Sequence, residues 1–246
     1  MIRVPQGSSA PAAKRFYDRF GRLQDVQALY EGRALRWLEE AGRFEAARSV
    51  FEFGCGTGAF ARRLLDRRLP DDARYVGVDV SETMVRLARR RLRPWRDRAD
   101  VRLVSGELPL DEPGGAYDRF VSNYVFDLLT EDEIAGALCE AHRILQPDGL
   151  LCLASLTYGA TPAARAVTRL WLAIHRRKPW WIGGCRPIKL VEFVGPPAWI
   201  VLARRVITQL GVSSEAVVAR KSALGDEERN GSARLVGLKE DRGSAS

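Results

Sequence analysis

The residues with the most chemical potential lie in RSVFEFGCGTGAF, positions 48–60, where a hydrophobic run ends in Glu52 and three alternating glycines, Gly54, Gly56 and Gly58. Glycines after a strand let the chain bend sharply and let a ligand approach the amides that open the next helix. Two ligand classes use that geometry. Gly54, Gly56 and Ala59 satisfy the dinucleotide fingerprint G-x-G-x-x-G/A, and Asp79 falls 21 residues after Gly58, where a ribose-binding acid belongs. Taken alone, the turn leaves the ligand open.

Glu52 separates the readings. It stands two positions before Gly54 and gives E-x-G-x-G-x-G, a carboxylate at the strand end that a pyrophosphate would repel and a cation would attract. Farther along, SGE at 105–107 joins a glycine to an acid in a manner suited to the edge of an adenine. Metal chemistry finds little support. Cys55, Cys139, Cys152 and Cys185 lie far apart without a C-x-x-C pair, and only His142 and His175 accompany them. His142, in the helix before LQPDG, reads as a surface residue; His175 is the better candidate for a general base, though without a visible partner.

The elements that must position these residues alternate between short apolar runs and helix-period segments, the pattern of a sheet covered by helices on both faces. Strands are expected at 48–53, 74–79, 100–105, 117–123 and 150–156. Ser81 should cap the helix after the second strand, and Thr130 with Glu133 should form a capping box after the fourth. The rhythm then breaks. A helix at 162–176 runs into RRKPWWIGGCRP, a short helix follows Pro187, and strands at 199–208 and 213–220 close through QLGV as an antiparallel hairpin.

Composition bounds the remainder. The 246 residues, 46% of them hydrophobic, suit one core and one domain. No apolar run reaches membrane-spanning length, which gives an expectation of a cytoplasmic protein. The net charge of +8 comes mainly from arginine spread through every segment. Its densest run, VRLARRRLRPWRDRAD at 85–100, reads as a solvated helix face, because no nucleic-acid motif accompanies it. Residues 222–246, rich in small and charged side chains, are expected to form a tail unable to fold alone.

FEFGCGTG, YVGVDVSETMVRLA, VSGE and AHRILQPDGLLCL, in that order over about residues 48–156, resemble the motifs of class I S-adenosylmethionine-dependent methyltransferases. The preceding FYDRFGRLQDVQALYEG resembles the helical lid of the subgroup acting in quinone biosynthesis and on other small molecules. The resemblance implies a Rossmann-like doubly wound α/β sheet of order 3-2-1-4-5-7-6 with strand 7 antiparallel. It divides the chain into a lid (1–47), a methyltransferase domain (48–221) with an insertion around 157–197, and the tail.

By the same resemblance S-adenosylmethionine is the cofactor, with S-adenosylhomocysteine its product. Glu52, Phe53, Gly54, Cys55, Gly56 and Gly58 would face its methionine part and Asp79 its ribose. Val80 and Met84 would pack near the adenine, whose edge Gly106, Glu107 and Leu108 would hold. Asn123 and Tyr124 would lie between cofactor and acceptor, with Tyr17 closing from the lid. SNYVF at 122–126 departs from the N-P-P-Y type motif of amide and adenine N-methyltransferases, which disfavours those acceptors. Tyr124 and His175 remain the catalytic candidates. The expected acceptor is a small hydrophobic or amphipathic molecule, and the Trp- and Arg-rich insertion suits either a lipid surface or the roof of a pocket. Three alternatives stay open: an NAD-dependent oxidoreductase, an RNA methyltransferase, and a non-catalytic protein that retains the cofactor pocket.

Overall fold

The computed structural model describes residues 24–178 and 184–223, with side chains from residue 31 onward. Tyr17, residues 1–23 of the expected lid and nearly all of the expected tail lie outside the described residues. Helix α1 (Gln24–Ala41) precedes strand β1 (Ser49–Phe53), followed by α2 (Ala59–Arg67), β2 (Arg74–Asp79), α3 (Glu82–Arg91) and β3 (Ala99–Leu103). The second half runs β4 (Tyr117–Asn123), α4 (Glu131–Ile144), β5 (Leu145–Thr157), α5 (Pro162–Arg177), β6 (Trp199–Gln209) and β7 (Val212–Lys221).

The seven strands form one sheet in the order β3-β2-β1-β4-β5-β7-β6. The first five are parallel, while β7 runs antiparallel to both β5 and β6. This is the topology expected from the sequence. Leu210 and Gly211, both at positive φ (51° and 80°), make the hairpin turn between β6 and β7, a geometry whose twist matches that of the strands it joins.

Alternation along the strands divides the core. Val50 and Tyr75 face one side with Phe44, Phe60 and Leu64, whereas Phe51, Phe120 and Leu151 face the other with Ile134 and Ile144. Strand β5 is buried without a break from Gly149 to Thr157, as a central strand covered on both faces must be. The capping residues act as expected: Ser81 Oγ accepts from the Met84 amide, and Thr130 and Glu133 form a reciprocal box at the start of α4.

His142 corrects the sequence reading. It is buried, with its ring edge-to-face on Trp199 (centroids 5.3 Å apart) and Nε2 3.4 Å from the Ser222 carbonyl. The cause is helical register: residue 142 follows Ile134 and Leu138 at four-residue intervals, along the inward stripe of α4. The basic run at 85–100 is largely exposed, as expected, but three of its members serve the structure, Arg89 by donating to the Val101 carbonyl. Arg91 donates to the Thr57 carbonyl and Arg98 to the Pro70 carbonyl.

Helix α1 packs across β5, β6 and β7. Its end is fixed by Arg119 of β4, whose buried guanidinium donates to the carbonyls of Gly42 (2.8 Å), Arg43 (2.9 Å) and Asp118 (2.9 Å). Replacing Arg119 with Leu leaves those carbonyls without their donor and should cost about 2–4 kcal/mol. Thr130→Ala, which removes only a helix cap, should cost about 1 kcal/mol. Urea unfolding of the two variants measures the difference.

Candidate active site

The parallel strands β1, β2 and β4 release their loops at one edge of the sheet, and the candidate residues collect there. Register places Glu52 beside Gly77 of β2 and Val121 of β4. Glu52 is only 2% exposed. Its Oε2 accepts from the Tyr75 hydroxyl at 2.6 Å and its Oε1 from Asn123 Nδ2 at 3.3 Å. Gly77 makes the first contact feasible, because a β-carbon there would stand 2.6 Å from the Tyr75 hydroxyl and 2.9 Å from the Cys55 β-carbon.

The glycine turn is held from both sides. The amides of Gly54 and Cys55 donate to the Val78 carbonyl, each at 2.9 Å. Asp79 then joins two loops: Oδ2 accepts from the Gly56 amide and Oδ1 from the Ser81 amide, again at 2.9 Å each. Gly54, Gly56 and Gly58 all have positive φ, a conformation that costs glycine little and other residues more. Gly58 faces α3, where a β-carbon would press on Ala88 at 3.1 Å.

These loops border one cavity of about 270 Å³. Glu52, Phe53, Gly54, Cys55 and Gly56 line one end of it. Asp79, Val80, Met84, Gly106 and Leu108 extend the wall along β2 and β3. Asn123 and Tyr124 stand at the end of β4, and beyond them Leu128, Leu156 and Cys185 form an apolar region. Three expected residues are elsewhere. Gly58 belongs to the turn beneath, Glu107 is exposed with its amide donating to Ser105 Oγ at 3.2 Å, and His175 is buried beside the Gly184 carbonyl, 3.1 Å from Nε2.

Burial decides the electrostatics. Removal from water pushes the Glu52 carboxyl up to about 7, against the lowering effect of Tyr75, Asn123 and Arg63. Burial likewise holds the Cys55 thiol and the Tyr124 hydroxyl well above their ordinary values, so neither is a ready anion at neutral pH. Tyr124 sits at φ 54° and donates from its hydroxyl to Ser214 Oγ at 2.8 Å. Asp127, fully buried behind this wall, accepts from the Leu156 amide and is raised to about 7, chiefly by burial.

Several participants escaped the sequence reading. Glu31 and Leu35 of α1, with Arg63 of α2, also line the cavity. A signal for two others existed: Tyr75 and Gly77 share a face of β2 by period-two spacing, and a glycine inside a β-branched strand often marks a close approach. Glu31 gave no such signal, since its place depends on how α1 docks.

A methyltransferase-domain family matches residues 50–149. The chain is 32% identical over 113 residues to a demethylmenaquinone methyltransferase of Tropheryma whipplei, across 46% of this chain and 44% of that protein. It is 35% identical over 126 residues to a malonyl-[acyl-carrier protein] O-methyltransferase of Geobacter sulfurreducens, across 51% and 44% of the two chains. The matched stretch thus spans less than half the length of either relative. Among solved structures, a [4+2]-cyclase, SpnF, superposes with TM-score 0.68 at 16% identity, covering 90% of this chain and 99% of the other. A geranyl diphosphate methyltransferase superposes with TM-score 0.63 at 13% identity, covering 86% and 99%. Residues 50–149 thus match a methyltransferase-domain family, and they lie in the seven-stranded fold that the sequence resemblance to class I methyltransferases implies. The cofactor of that class is S-adenosylmethionine.

Gly77→Ala should destabilise the protein by about 1–3 kcal/mol by forcing the Tyr75 hydroxyl away from Glu52. In Tyr75→Phe the hydroxyl is already gone, so the added alanine should cost less, the remainder coming from the Cys55 β-carbon at 2.9 Å. A double-mutant cycle by urea unfolding reads that coupling.

Proposed function

We propose that the chain transfers a methyl group from S-adenosylmethionine to a small hydrophobic or amphipathic organic acceptor. The observation that carries this reading is the cavity at the carboxyl ends of the parallel strands, with a buried carboxyl at the glycine turn and a second acid 27 residues later. Ligands of open α/β sheets bind at that edge. One orphan atom supports a ligand there: Asn123 Oδ1 is buried and has no hydrogen-bond partner among the described residues, so an incoming donor would satisfy it.

In this reading Asp79 takes the ribose hydroxyls, and Val80, Met84, Gly106 and Leu108 enclose the adenine. Glu52, Asn123 and the amides of the glycine turn take the methionine part. The sulfonium supplies the electrophile, so the protein's task is to align the acceptor and exclude water. Tyr124, Leu128, Leu156 and Cys185 offer the acceptor a largely apolar wall. The names of the relatives, one acting on demethylmenaquinone and one on a malonyl carrier protein, favour an acceptor outside nucleic acids.

Calorimetry separates this from the dinucleotide reading. S-adenosylhomocysteine should bind and NAD should not, and Asp79→Ala should weaken S-adenosylhomocysteine at least tenfold, about 1.4 kcal/mol or more. Tight NAD binding, or unchanged affinity in the variant, would contradict the assignment.

A peripheral membrane contact draws support from α5 and its end. Arg165, Arg169, Arg176, Arg177 and Lys178 are exposed there beside Leu170, and the helix contains no acidic residue. Such a face suits anionic headgroups. The protein should co-sediment with phosphatidylserine vesicles but not with phosphatidylcholine vesicles; equal behaviour with both would remove this part.

A further inference from the structure

The cavity is acidic although the chain is strongly basic. Besides Glu52 and Asp79, Glu31 reaches it from α1 and Glu133 from α4, the latter with its carboxylate held by the Thr130 amide and hydroxyl, and Asp127 lies buried behind the wall. Arg63 is the cation that lines it among the described residues, and Arg63 is already paired with Glu39 at 2.7 Å. Arg186, also buried, faces Asp127. The acids thus exceed the bases around this space, and burial together with like charge favours protonated carboxyls there. A permanent cation entering it would reverse that preference.

Resting on the S-adenosylmethionine reading above, we propose that Glu31 is the residue that receives the proton given up by the methyl acceptor, and that the cofactor's sulfonium readies it by drawing the carboxyl cluster into its ionised form. Glu31 suits the part by position. It lines the cavity as Tyr124 does, and the groups acting on it are Asp127, Arg63 and Tyr124. Glu52 is committed to Tyr75 and Asn123 and also feels Arg63, Asp79 and Cys55.

The balance closes without another reactant. A new bond forms between acceptor and methyl carbon, the carbon–sulfur bond breaks with its electron pair left on sulfur, and the acceptor's proton passes to a Glu31 oxygen. The sulfur is then neutral. Protonated Glu31 matches that neutral product, whereas ionised Glu31 matches the charged reactant, so the cluster distinguishes the two sulfur states.

Glu31 is raised to about 8, first by burial and then by Asp127, against the lowering effect of Arg63. A ligand that favours the ionised form must release a proton when it binds below that pH, so its affinity rises with pH up to about 8 and levels off above. Calorimetric titration in buffers of different ionisation enthalpy counts those protons. At pH 7.5, S-adenosylmethionine should release about half a proton or more beyond S-adenosylhomocysteine, and in Glu31→Gln the excess should fall to about a quarter or less. Comparing the two proteins cancels titration of the ligand's own amine. Glu31→Asp keeps a titratable group and should restore the release.

Equal release by the two ligands, or an unchanged excess in Glu31→Gln, would overturn the proposal while leaving the methyltransferase reading intact. So would loss of both ligands in Glu31→Gln and Glu31→Asp alike, which would make Glu31 a structural residue. Failure of both ligands to bind the unaltered protein would instead defeat the methyltransferase reading itself.

Discussion

Placing Glu52 out of water at the junction of three strands is the constraint on which the site depends. A lone buried carboxylate is costly, and the fold answers with the Tyr75 hydroxyl, the Asn123 amide and a raised proton affinity. Each answer imposes a requirement elsewhere. Tyr75 needs Gly77 to leave space, and Asn123 needs β4 to end level with β1, which their pairing enforces.

From this centre the rest of the pocket follows in layers. Asp79 fixes the glycine turn by accepting from Gly56, and the same carboxylate accepts from Ser81, so the loops after β1 and β2 are tied to one another. The cavity takes its remaining wall from α1 and from the chain between β4 and β5, where side chains are mostly apolar. Acidity and an apolar wall together suit a cationic donor and an uncharged acceptor. That pairing fits the mechanism proposed here, in which the protein contributes alignment and a proton acceptor.

The parallel half of the fold was legible because local signals agreed: β-branched runs, Ser81 and Thr130 caps, and the glycine turn after β1. The bounds of β2 and β4 match the expected strands, while β5 starts five residues earlier because Leu145 already pairs with Tyr117, ahead of an irregularity in which Asp148 takes φ 62°. What escaped depends on contacts distant in sequence. His142 looked polar and external, yet helical spacing turned it into the core against Trp199, 57 positions away. Glu31 acquired meaning only once α1 lay across the sheet. His175 stayed outside the cavity lining, and Tyr124 entered it with a hydroxyl tied to Ser214.

The most direct test is a crystal structure with S-adenosylhomocysteine bound. The account requires the ribose hydroxyls within hydrogen-bonding distance of Asp79, the methionine part against Glu52 and Asn123, and the sulfur facing Tyr124. A dinucleotide bound in that crevice instead, or the nucleoside seated away from Asp79, would contradict it.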